Sequence, residues 1–386
     1  MRVMRAEPNR FADVSSRTVG AVWRAYDLQL TTYAALLGAV GLVMAYVNTV
    51  EAGQAALSNG GVFSRALIWS GLAIVVFLVA TVFDYSWIKT FTWPVYGINV
   101  GLLVLTLAIG DGVGGSARWI AFGPLTFQFS ELAKILMIGV LAAYLGNREG
   151  KLDSLGSILG AVLLVIPPWV LVMTQPDLGT SACLLAILVG MLFMSGASLK
   201  WLIAGAIGVV LAIPLVWTYI LQDYQRQRIL TFINPAQDTQ GAAFQITQAQ
   251  NAVAAGGPLG VGLTNGVQSQ GQILAVRESD FVFAVLAQEL GFIGAVVVFL
   301  LFIALIWRVL VSAWRSKDPF GMLYGAGVAS MLLFQVFVNV GMVLGMLPVT
   351  GIPLPFISHG GASLVSIALG LGVIQSINIR QQRAEW

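Results

Sequence analysis

FVFAVLAQELGFIGAVVVFLLFIALIW, residues 281–307, runs for 27 residues with a single ionisable side chain, Glu289. About 20 apolar residues in a helix cover the roughly 30 Å of hydrocarbon in a bilayer, so this stretch can cross it with turns to spare. Nine further windows of the same kind lie near residues 29–49, 66–83, 91–110, 130–146, 155–174, 178–197, 199–221, 319–347 and 355–379. The composition agrees: of 386 residues, 58% are apolar, 43 more are glycine and only 10% are charged. A soluble domain carries about 25% charged residues. Too little charge remains to cover a water-soluble globule, which excludes a soluble enzyme or a nucleic-acid binder. The expected fold is therefore an all-α polytopic membrane protein of about ten transmembrane helices, with one long loop, residues 222–280, between spans 7 and 8.

Basic residues orient the spans. With loops assigned alternately to two sides, one side holds 14 Lys and Arg and the other five, while Lys134 sits inside span 4. The richer side is the cytoplasmic one, which places both termini in the cytoplasm and the 222–280 loop outside. Residues 1–28 then form a cytoplasmic segment, 29–379 the membrane domain and 380–386 a cytoplasmic tail. The apolar run after the Arg-rich start is too long for a cleaved signal and reads as the first retained span. The net charge of +3 is accounted for by topology rather than by a polyanionic partner. Cys183, the only cysteine, permits no disulfide within the chain.

Ionisable groups inside or at the edge of spans are costly, so each is a candidate site. Glu131 and Lys134 are three apart on one helix face behind Ser130, fitting either a structural ion pair or a reactive carboxylate. Glu289 lies two turns into span 8, facing a polar cavity whose occupant is open. Asp280 ends the long outer loop at the start of span 8, where a carboxylate serves as a helix cap or, at the outer interface, as an active group. Arg118 and Trp119 occupy a glycine-rich outer turn, a pairing suited to clamping phosphate and stacking on sugar, although tryptophan is also an interface anchor. The run GGPLGVGLTNG, 256–266, fits neither phosphate-loop pattern and reads as a tight outer turn. Glutamines such as Gln268 offer neutral donors and acceptors around it. Residues from Phe244 to Ala255 are suited to a short helix on the membrane surface. Ser358 and His359 precede span 10, and a lone histidine makes a poor metal site. Gly321, Gly325 and Ala329 give span 9 a small-residue face, for packing within the bundle or for a partner helix; the expectation is that a single-span partner docks against spans 8 and 9.

Several segments together resemble one family: RWIAFGPLTFQFSELAK (118–134), TQPDLGT (174–180), the run from Arg228 to Gln270, ESDFVFAVLAQELGFIG (278–294) and NVGMVLGMLPVTGIPLPFISHGGASL (339–364). They resemble the SEDS family of shape, elongation, division and sporulation proteins, and MLPVTGIPLPF is closer to its RodA-type, elongation branch than to its division branch. The resemblance implies a ten-span peptidoglycan glycosyltransferase of the bacterial cytoplasmic membrane that polymerises lipid II beside a class B penicillin-binding protein transpeptidase. It implies a catalytic aspartate at Asp280 and substrate-binding residues Arg118, Trp119, Ser130, Glu131, Lys134, Gln268 and Ser358. Pro176, Asp177, Gly179 and Thr180 match the family's QPDLGT turn. Departures from the family pattern fall at Phe129, Ala275, Val276, Glu278, Gln288 and His359.

An α-linked donor giving a β-1,4 product needs one inverting displacement, so one carboxylate base suffices, with Arg118 the expected stabiliser of the pyrophosphate. No cofactor is required beyond an optional divalent cation such as magnesium, which only Asp280 or Glu131 could ligate. A flippase for lipid-linked precursors and a non-catalytic scaffold are the rival readings. A flippase calls for ionisable residues through the depth of the bilayer; spans 5, 6 and 9 carry none and span 10 only His359, near its start.

Overall fold

The computed structural model describes residues 25–51, 53, 55, 57, 61–110, 118–122, 125–148, 154–234, 242–266 and 280–381. Among the described residues, nine helices of at least 18 residues are apolar enough to cross a membrane, and a tenth apolar helix has 17. In chain order the helices are α1 (Leu28–Glu51), α2 (Val62–Val82), a short α3 (Ser86–Thr90), α4 (Thr92–Ile109), α5 (Phe129–Gly146), α6 (Leu155–Thr174) and α7 (Leu178–Met194). There follow α8 (Leu199–Leu215), which ends in a π turn, α9 (Asp223–Ile233), α10 (Ala242–Gly256), α11 (Val282–Arg315), α12 (Pro319–Val343) and α13 (Gly361–Gln381). The ten expected windows are thus ten helices. Helices α5, α12 and α13 are mostly buried and form the centre, whereas α8 buries none of its residues and faces the lipid.

Two boundaries depart from the expected windows. α11 continues past Trp307 to Arg315, about 12 Å beyond the apolar stretch. Its Arg308 pairs with Asp27 at 2.6 Å and so anchors the extension to the start of α1. α13 begins at Gly361 rather than near 355 because Pro353 and Pro355 keep the preceding backbone extended. The chain from 344 to 360 is irregular, which lipid tolerates only where protein encloses it. Gly41 of α1 provides that enclosure: a Cβ there would lie 2.1 Å from the Phe356 carbonyl oxygen. Phe356 itself has φ 64°, a conformation that costs a bulky residue about 1–3 kcal/mol.

The all-α expectation needs one amendment. Ile120–Phe122 (β1) and Leu125–Phe127 (β2) pair antiparallel, Ile120 opposite Phe127. Two strands alone are marginal, but Phe127 packs edge-on to Phe129 at 5.0 Å and lies 6.1 Å from the Trp69 ring.

In the outer loop, Phe244 to Ala255 falls within α10, which packs on α11 with Ala249 and Ala252 fully buried. The glycine run after it explains Glu289. α11 is broken at Gly291 (φ 68°, ψ −171°), which leaves backbone groups that lipid cannot satisfy. The loop satisfies them: Phe292 N donates to Gly257 O at 2.9 Å and Ile293 N to Pro258 O at 3.1 Å, while Gln288 O and Glu289 O accept from Val261 N and Gly262 N. The backbones approach so closely that a Cβ on Gly260 would lie 2.1 Å from Glu289 O. Glu289 Oε1 accepts from Gly266 N at 3.1 Å, so this buried carboxylate holds the loop.

The small-residue face of α12 is used within the bundle. A Cβ on Gly325 would lie 2.7 Å from Ala313 Cβ of α11, and Gly321, Gly325 and Ala329 are all buried.

Candidate functional site

Asp280 stands one residue before the N-cap of α11, which is Phe281. The side chain is half-buried and reaches the backbone of Gly351, where an added Cβ would lie 3.6 Å from Asp280 Oδ2 and 3.9 Å from Arg228 Nη1. A carboxylate and a guanidinium therefore converge on one glycine, whose φ of 76° turns the 349–352 strand of chain toward them. Arg228 Nη1 also donates to Val349 O at 3.3 Å. Asn339 of α12 ties the two halves: its Nδ2 donates to Asp280 O at 3.1 Å and to Ile352 O at 2.8 Å.

Arg118 is in a different position. Its Nε donates to Gln175 O at 2.6 Å and its Nη2 to Pro176 O, so the guanidinium anchors the turn between α6 and α7. That turn rests on the same irregular segment as Asp280, since a Cβ on Gly179 would lie 2.6 Å from Ile352 Cγ1 and 3.0 Å from Thr350 O. Asp177 caps α7 through Thr180 N at 3.1 Å, and its other oxygen accepts from Gln128 Nε2 at 2.8 Å and Ser130 Oγ at 3.3 Å. Ser130 is thereby part of a buried polar brace. Glu131 and Lys134 form an ion pair at 2.7 Å with side chains only 4% and 2% exposed. Burial to that degree fits a structural pair beneath the site.

Trp119 borders a second part of the outer face, a cavity of about 140 Å³ that Arg65, Trp69, Thr126, Ser358 and His359 also line. Ser358 Oγ accepts from Leu354 N at 2.8 Å and so fixes the turn leading there. The segment 349–361 thus touches the Asp280 and Arg228 pair near its start, the Arg118 turn at Thr350 and Ile352, and the Trp119 cavity at its end. Gln268, with Ala275, Val276 and Glu278, lies outside the described residues.

Magnesium was the optional cofactor. Among the described residues no group of three or more His, Cys, Asp or Glu side chains could hold a metal ion. Among the described residues Asp280 meets Arg228 at Gly351 and Glu131 is engaged by Lys134, so neither forms part of a carboxylate cluster there.

The reading from residues alone passed over Arg228, Asn339 and Gly351. Both polar side chains carried a usable signal: Arg228 is one of five basic residues on the sparsely basic side, and Asn339 is an amide inside a span.

The chain matches the model of the FtsW, RodA and SpoVE family, described as cell cycle proteins, over residues 27–383. It is 40% identical over 289 residues to the peptidoglycan glycosyltransferase MrdB of Escherichia coli (strain K12), covering 74% of this chain and 77% of that protein. It is 34% identical to stage V sporulation protein E of Bacillus subtilis (strain 168) over 366 residues, 91% of this chain and 96% of the other. A chain of a peptidoglycan synthase complex, solved for its coordination of polymerization and crosslinking, superposes with a TM-score of 0.78 at 30% identity, covering 92% and 98% of the two chains. The rod shape determining protein RodA of Thermus thermophilus superposes with a TM-score of 0.68 at 28% identity, covering 93% and 98%. With the helices, the braced outer turns and the matched span in agreement, the chain belongs to the FtsW, RodA and SpoVE family of multi-pass membrane proteins.

Proposed function

We propose that this chain is a peptidoglycan glycosyltransferase that polymerises lipid II into glycan strands during cell elongation, with Asp280 as general base. The observation that carries the assignment is the convergence of Asp280 and Arg228 on Gly351 at the outer end of α11. The names of its relatives support the same activity. Asp280 takes the proton of the acceptor 4-hydroxyl as that oxygen bonds to the donor's anomeric carbon. The bond from that carbon to undecaprenyl pyrophosphate breaks, and the pyrophosphate leaves with the electron pair and the developing charge. A guanidinium is well suited to that charge. Arg228 is the cation beside the base, while Arg118 positions the turn on which the site rests. Trp119 and Ser358 border space for a sugar ring, Gln268 contributes from the loop, and Ser130, Glu131 and Lys134 act from beneath.

The orientation places both termini in the cytoplasm of a bacterial cell, with Asp280 outside. Crosslinking requires a transpeptidase, so the partner is a class B penicillin-binding protein, in keeping with the synthase complex to which one structural relative belongs. The partner docks against α11 and α12, whose outward faces expose Val297, Leu300, Leu333 and Phe337, while Gly325 itself is taken up by Ala313 of α11.

Purified protein mixed with lipid II, with and without a cognate penicillin-binding protein, and resolved on a gel tests the reading. Glycan strands from the wild type and their loss in Asp280→Asn are expected. A flippase would make no strands and would instead move lipid across liposomes. Full polymerisation by Asp280→Asn would reject Asp280 as the base.

A further inference from the structure

The opposite end of the bundle holds a larger cavity, about 470 Å³, between the α3–α4 corner, the end of α5 and the side of α6. Its floor is apolar, built from Val140, Ala143 and Leu164, and its rim is polar, with Lys89, Thr90, Asn147 and Arg148. An apolar floor beneath a cationic rim matches the boundary between acyl chains and headgroups. Trp87 and Trp93, 53% and 67% exposed, flank Lys89 in sequence and mark the interfacial level.

The charges at the rim can be counted. Lys89 is neutralised by Asp318, whose oxygens accept from its Nζ at 2.9 and 3.1 Å. Arg148 lies over the Tyr144 ring, 4.0 Å from its centroid, and among the described residues no carboxylate pairs with it. The first turn of α4 and the last of α5 bring helix ends of opposite sign, each about half a charge, which cancel. Among the described residues one positive charge is left, the complement of a phosphodiester. Basic pockets between spans on the cytoplasmic side are suited to anionic lipid headgroups.

We propose that this cavity binds the phosphodiester headgroup of an anionic glycerophospholipid from the inner leaflet. Arg148 holds the phosphate, Asn147 and Thr90 meet the headgroup hydroxyls, and the chains leave over Leu164. The site rests on the orientation proposed above and is independent of the glycosyl transfer.

Native mass spectrometry of the full chain, extracted from bilayers of phosphatidylglycerol and phosphatidylethanolamine, tests it. The wild type should retain one phosphatidylglycerol that Arg148→Gln loses by about tenfold or more, the worth of a charged hydrogen bond. Asn147→Glu, an exposed change that places an anion at the rim, should lose it as well. Phosphatidylethanolamine retention and glycan polymerisation should match wild type in both variants. Retention of phosphatidylglycerol by both variants would overturn the site. Displacement of the lipid by millimolar inorganic phosphate would overturn the lipid as its occupant in favour of a soluble phosphate.

Discussion

The two ends of the bundle are built by different means. At the end that carries Asp27, the inner one in the proposed orientation, ion pairs join helices: Asp27 to Arg308 at 2.6 Å, Lys89 to Asp318 at 2.9 Å and Asp84 to Arg380 at 3.3 Å. Gln375 adds bonds to both the N–H and the carbonyl of Asp27, so α1, α11 and α13 are stapled together there. At the outer end, irregular chain is held by side chains that bond backbone: Arg118 on Gln175, Asn339 on Ile352, Glu289 on Gly266. Helix ends joined by ion pairs make a rigid clamp. Loops held through bonds to backbone leave the Asp280 carboxylate half-buried, where the proposed substrate would enter. The difference separates a stabilising end from a reactive one, and substitutions can test it.

The largest expected effect is on activity alone. Asp280→Asn should lower polymerisation by about 10² to 10⁴, the usual worth of a general base, with an unchanged melting temperature. A variant that melts early would make Asp280 a structural residue like those of the inner end. Second is stability at the centre, where Lys134→Met strands the Glu131 carboxylate and should cost about 3–5 kcal/mol, read as a lower melting temperature. Third, Arg308→Gln should cost about 1.5–3 kcal/mol of stability by leaving Asp27 short of a charged bond, with polymerisation by the folded fraction intact. Lost polymerisation at full stability would mean that the two ends are coupled. The smallest effect concerns acid. The backbone N–H of Ser86 and, after it, the Arg380 charge hold the Asp84 carboxyl below its usual range. A depressed carboxylate contributes stability above its unfolded pKa and loses it as pH falls through the folded one. Asp84→Asn should therefore remove a little of the stability lost below about pH 4. Because the side chain is 44% exposed, the change should stay under about 1 kcal/mol in acid melting curves.

Much of the site was legible in the sequence, though unevenly. Asp280, Trp119 and the 131–134 pair stood out because ionisable or amphipathic residues are rare in so apolar a chain. Their roles diverged on folding. Arg118 was expected to face the pyrophosphate and is found anchoring a turn, and Glu289, open between uses, fastens a loop. Gly325 suited either the bundle or a partner helix, and only its contact with Ala313 shows that at this position α11 fills the space. A single helix pattern does not say which neighbour its small face meets.

The sequence by itself determined the number of spans and their approximate limits, and it carries the charge bias on which the proposed orientation rests. Bilayer thickness sets the length of an apolar run, and charge bias is counted locally, so neither depends on how the helices pack. It determined the candidates for chemistry for the same reason. The tertiary structure alone decided which candidates share a site. Asp280, Arg228, Asn339 and Gly351 come from separate parts of the chain and meet because the proline-rich segment before α13 cannot be helical, and Gly41 lets its backbone sink into the bundle. It also decided where α11 breaks. Glycine at 291 permits the turn, but the hydrogen bonds that make it tolerable in lipid come from the loop at 257–262. Contacts that span such distances along the chain follow from packing, which no local pattern encodes.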